Sequence, residues 1–148
     1  MIMKLLLLFV TAILMAGCDA GLNSDQQARE VAGKWADAYF NCDFKDADNY
    51  VTPESRKWLQ YAASNTTEQE LNMLQEAGGA QVTVSETATE GNDTLKTFRL
   101  TVANCLGTTH ETAALVKERT FMVTVVRRTT DWQVRMAGLP QNERQSRD

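Results

Sequence analysis

The side chains able to do chemistry are few. One histidine, His110, sits in a polar stretch between Thr109 and Glu111. A catalytic histidine needs an oriented partner and shelter from water. Its neighbours suggest neither, so it reads as a solvated loop residue. With a single His and no cysteine cluster, a zinc site lacks ligands. Asp43, Asp46 and Asp48 crowd one stretch, but Phe44-Lys45 and the absence of Gly spoil the pattern of a calcium loop. There is no Gly-x-Ser-x-Gly element. Gly78-Gly79 follow a helical pattern rather than leading into one, so no phosphate loop exists. No catalytic residue, metal or cofactor is assigned. What remains is sulfur, at Cys18, Cys42 and Cys105, and none of these lies in a Cys-x-x-Cys unit.

Cys18 closes an unusual N-terminus. One positive charge, Lys4, precedes an apolar run over residues 5–15 that only Thr11 interrupts. Eleven helical residues reach about 17 Å, whereas a bilayer core needs about 30 Å. The segment is too short to span and has the shape of a secretory signal. Leu14-Met15-Ala16-Gly17-Cys18 resembles the lipobox of bacterial lipoproteins. That resemblance implies a signal peptide over residues 1–17, cleavage before Cys18, and acylation of Cys18. Each buried methylene contributes about 0.8 kcal/mol, so two or three chains hold permanently. The alternative is an ordinary signal peptide that leaves Cys18 a plain thiol. Residues 18–23 give the lipidated Cys and a short tether, so the domain sits close to its membrane, inner or outer.

An exported protein meets oxidising conditions, which invites a bridge between Cys42 and Cys105. Closing a loop of about 63 residues would stabilise by roughly 4 kcal/mol in the chain-entropy model. Two buried free thiols acting as small apolar residues are the other reading.

The elements that carry these residues follow from periodicity. Ser24 with Gln27 marks a helix start. Ala28, Val31, Ala32, Trp35, Ala36, Tyr39 and Cys42 then form one apolar stripe. Phe44, Ala47 and Tyr50-Val51 suggest a short helix or turn. Thr52 is expected as a cap with Pro53 in the first helical position, and Trp58, Leu59, Ala62 and Ala63 as the buried side of the next helix. Thr67 and Glu70 form a capping box ahead of Leu71 and Leu74, and Gly78-Gly79 stop that helix. Beyond Gly79 the period changes to two. Val82 and Val84, then Phe98, Leu100 and Val102, then Phe121, Val123 and Val125, then Trp132, Val134 and Met136 alternate with polar neighbours. A turn over residues 91–93, a polar loop over residues 106–112 and a tight connection over residues 127–131 separate the strands.

At 148 residues and 43% hydrophobic, the chain supports one domain and excludes wholesale disorder. A net charge of −4 argues against nucleic acid as a partner. Helices in the first half and strands in the second imply an α+β fold: N-terminal helices packed on a curved four-stranded antiparallel sheet over residues 24–137. Residues 138–148 are expected as a loose charged tail. Trp35, Tyr39, Tyr50, Trp58, Phe98, Phe121 and Trp132 would gather between the layers, as core first and as the lining of a small apolar pocket second.

A long first helix, shorter helices and late strands ending in Asp131-Trp132-Gln133-Val134 resemble the nuclear-transport-factor-2-like superfamily, whose domain is cone-shaped. The function expected is a lipid-anchored, non-enzymatic envelope domain that binds a protein or a small apolar ligand. The alternatives are an envelope isomerase, dehydratase or hydrolase working in the cone, and an accessory subunit of an envelope assembly.

Overall fold

The computed structural model describes residues 24–85, 90–91, 93–107 and 114–140. The signal segment, Cys18, the tether, His110 and residues 141–148 of the tail lie outside them.

Helix α1 (Ser24–Phe40) turns Ala28, Ala32, Trp35 and Ala36 inward. Small residues recur every turn on that face, so the helix axis lies close to the sheet beneath. A one-turn helix α2 (Phe44–Ala47) follows, with Asp43 as its N-cap. Two 3₁₀ turns, Asp48–Tyr50 and Pro53–Ser55, lead into α3 (Arg56–Asn65). Thr52 does not cap as expected: its side chain makes no bond to a helix N–H. Instead the hydroxyls of Thr52 and Ser55, both fully buried, share a 2.6 Å hydrogen bond. The Ser55 hydroxyl also accepts from the Met136 N–H at 2.8 Å. Two buried polar side chains thus satisfy each other and pin this turn to the sheet. Of the expected inner side of α3, Leu59 and Ala62 are buried, Trp58 is half-buried and Ala63 faces water.

Helix α4 (Glu68–Glu76) begins with the expected capping box, Thr67 and Glu70 bonding reciprocally. It buries Leu74 and leaves Leu71 exposed. Its end is a Schellman motif: Gly78 N–H donates to Gln75 C=O at 3.1 Å and Gly79 N–H to Leu74 C=O at 2.9 Å.

The strands are β1 (Gln81–Val84), β2 (Glu90–Gly91), β3 (Leu95–Leu106), β4 (Leu115–Arg128) and β5 (Asp131–Arg135). They form one antiparallel sheet in the order β1-β3-β4-β5, with the two-residue β2 also paired to β3. The register runs Val82↔Val102, Leu100↔Phe121 and Val125↔Val134, so like faces meet across all three long pairings. A parallel bridge from Val51 to Val134 covers the outer edge of β5.

The architecture is α+β, with helices preceding an open antiparallel sheet. One face carries Phe98, Leu100, Val102, Phe121, Val123, Val125, Trp132 and Val134 into a single core with α1. Each such side chain, fully buried, is worth roughly 1.5–3 kcal/mol. The opposite face alternates Thr83, Arg99, Thr101, Met122, Thr124 and Arg135, which solvent tolerates.

Candidate functional site: thiols and aromatics at the end of the first helix

Helix α1 was expected to carry its apolar stripe through Cys42, but it ends at Phe40. Its end repeats the geometry of the α4 terminus. Cys42 N–H donates to Tyr39 C=O at 3.0 Å and Asp43 N–H to Ala38 C=O at 2.9 Å. This is a second Schellman motif, and Cys42 occupies the left-handed position, φ 61°, that Gly78 fills in the first. The Asn41 side chain sews the turn to the strand region. Its Oδ1 accepts from Ala80 N–H at 2.8 Å and its Nδ2 donates to Ala80 C=O at 3.0 Å.

The other thiol arrives from β3. Phe98, Leu100 and Val102 face the helices, so strict alternation would turn Cys105 to the opposite face. Asn104, immediately before it, adopts φ 57°. Cys105 nonetheless lies in the core at 3% exposure. The Asn104 side chain donates to Gly79 C=O at 3.4 Å, one residue from the Asn41 contact. The turn after α1 and the end of β3 therefore converge on Gly79-Ala80.

Cys42 and Cys105 are free thiols, not bridged, half-buried and buried respectively. Burial pushes both up to about 11, from an ordinary 9.0. The Glu70 carboxylate raises Cys42 further, whereas the Arg119 guanidinium partly offsets the effect at Cys105. Each thiol lies within the electrostatic reach of Tyr39. Burial, then Cys42 and Cys105, raise the Tyr39 phenol above its ordinary 10.0. These are protonated, weakly nucleophilic sulfurs at neutral pH.

Aromatic rings gather around Tyr39. Tyr39 stacks on Trp35 at 5.0 Å and meets Phe40 and Phe44 edge-on at 5.1 and 5.6 Å. Phe40 packs on Phe121 at 4.8 Å. Of the seven residues expected as core or pocket lining, this stack unites Trp35, Tyr39 and Phe121. Among the described residues, no ring contact joins Tyr50, Trp58, Phe98 or Trp132 to it. Phe98 and Trp132 are buried in the core, and Tyr50 and Trp58 pack partly buried against it. Lys96 Nζ lies 5.8 Å from the Trp132 ring and pairs with Asp25. The indole N–H groups of Trp35 and Trp132 are buried with no acceptor. Sequence reasoning missed Asn41 and Asn104. Their only signal was an Asn near an element end, which a polar surface residue shares.

The acidic stretch after Cys42 has structural duties. Asp43 caps α2, accepting from Asp46 N–H at 3.2 Å, and Asp48 pairs with Arg56 at 3.2 Å. No group of three potential metal ligands occurs among the described residues. No carboxylate is buried among them either. No described helix is long and apolar enough to cross a membrane. No family model, curated protein or solved structure matches the chain.

Proposed function

We propose that this chain is a lipid-anchored cell-envelope protein whose α+β domain acts by binding a protein partner. The observation that carries the reading is the apolar run of residues 5–15 closed by Leu14-Met15-Ala16-Gly17-Cys18. Its length suits a cleaved signal and falls short of a span. The binding half is supported by packing. Trp35, Phe98, Phe121 and Trp132, which would have to line a cone cavity, are spent on the chain's own core. Order of elements, with a long helix, shorter helices and then a meander, also favours a domain of the nuclear-transport-factor-2-like kind.

Membrane fractionation and mass spectrometry of the native protein test this. The expected result is a membrane-bound, detergent-extractable chain that begins at Cys18 and carries a diacylglyceryl mass. Cys18→Ser should leave the leader uncut and the acyl mass absent. Soluble native protein with its leader intact would overturn the anchor. A small apolar molecule that co-purifies with the chain in native spectra would replace protein binding by ligand carriage.

A further inference from the structure

We propose that Cys42 and Cys105 are the two halves of a redox-closed clasp, a disulfide that ties the end of α1 to the end of β3. Three observations converge on it. The chain ends two helices with the same motif, and places Gly78 at the left-handed position of one but Cys42 at that of the other. A non-glycine residue in that conformation costs roughly 1–2 kcal/mol, so a cysteine there is a poor structural choice. Cys105, for its part, is buried in the core at 3% exposure, directly after Asn104, which takes a left-handed conformation. Finally, Asn41 and Asn104, the residues preceding each cysteine, bond to adjacent residues, Ala80 and Gly79. A strained backbone at Cys42 and one shared anchor point hold both sulfurs in one core cluster.

The closure needs an oxidant, and a small-molecule disulfide such as glutathione disulfide suffices. The half-buried Cys42 is the accessible thiol. Its thiolate attacks one glutathione sulfur, forming a mixed disulfide and releasing one glutathione. The buried Cys105 then gives up its proton, attacks the Cys42 sulfur and releases the second glutathione. The protein loses two protons and two electrons, and glutathione disulfide gains both. The raised thiol pKa values make the reaction slow at neutral pH and faster in alkali. They also make both sulfurs poor leaving groups, so the closed clasp resists reduction and is structural rather than catalytic.

The test uses the full chain, incubated with glutathione disulfide at pH 9, alkylated and cut with trypsin under non-reducing conditions. The expected product joins peptide 35–45, which holds Cys42, to peptide 100–117, which holds Cys105. The protein stays one chain in size, and its unfolding midpoint rises on the order of 10 °C. Cys42→Gly relieves the left-handed backbone and keeps the fold. It should abolish both the joined peptide and the shift, with Cys105 remaining a thiol. A glutathione that stays on Cys42, a Cys42-linked pair of chains, or two thiols still free after oxidation would each overturn the clasp.

Discussion

Gly78 and Gly79 share a left-handed backbone, at φ 83° and 86°, yet their surroundings differ. A methyl group added at Gly78 would meet nothing within 4 Å. One added at Gly79 would lie 2.8 Å from Asn41 Oδ1, the atom that accepts from Ala80 N–H. Gly78→Ala therefore costs only the backbone conformation, about 1 kcal/mol. Gly79→Ala also pushes Asn41 off its two bonds to Ala80, each worth about 1 kcal/mol, for a loss of roughly 3 kcal/mol. Urea unfolding of both variants checks this. Equal losses would mean that Asn41 yields freely and is not the stitch between α1 and β1. Nothing at Cys42 in the sequence signals its left-handed position. Its spacing from Tyr39 fits the helical stripe, and no glycine marks the helix end.

Elements were legible wherever local chemistry and periodicity agreed. Thr67-Glu70 and Gly78-Gly79 bracket α4 as expected, and the change of period after Gly79 separates the helical layer from the sheet. Legibility failed where one signal masked another. Strand β4 begins at Leu115, earlier than its alternation suggests, because the charges of Lys117, Glu118 and Arg119 hide the inward positions. The burial of Cys105, on the outward parity of β3 and next to the left-handed Asn104, is likewise encoded by no period. The β4–β5 hairpin shows the same limit. Residues 127–131 looked like a five-residue connection, but the strands run on to Arg128 and from Asp131, leaving only Thr129 and Thr130. Two-residue loops favour Gly or Asn because they need positive φ. Here a β-branched residue, Thr129, holds φ 61°. Thr129→Gly should therefore stabilise the protein by about 1 kcal/mol and raise the thermal midpoint by a few degrees, since the relieved strain outweighs the added freedom of the unfolded chain. A lower midpoint would show that the threonine side chain contributes more than its backbone loses.

For the whole molecule, the thiol and phenol cluster sets how stability depends on pH. Cys42 and Cys105 titrate near 11 in the folded chain against an ordinary 9.0, and Tyr39 is raised above its ordinary 10.0. In each case burial favours the neutral, protonated form. The folded state consequently holds more protons than the unfolded chain between about pH 9 and 11, and stability must fall as pH rises across that window. Below about pH 9 both states are protonated at these groups, and the contribution is fully present. At the acid end, the shift working the other way belongs to Glu54, lowered by its own backbone N–H and by Arg128, and that group is exposed and screened by solvent. The alkaline limb of the stability profile should be the steeper of the two for these groups. Chemical unfolding from pH 7 to 11 measures it, and the redox state separates the contributors. In the reduced chain both thiols and Tyr39 take part. Closing the clasp removes both thiols from the titration and leaves Tyr39 as the buried group that is raised, beside the exposed and solvent-screened Lys34, so the oxidised chain should lose stability later, above about pH 10, and less steeply. Identical limbs in the two states would mean that the thiols do not govern the alkaline loss, and that burial at the end of α1 acts through Tyr39 instead.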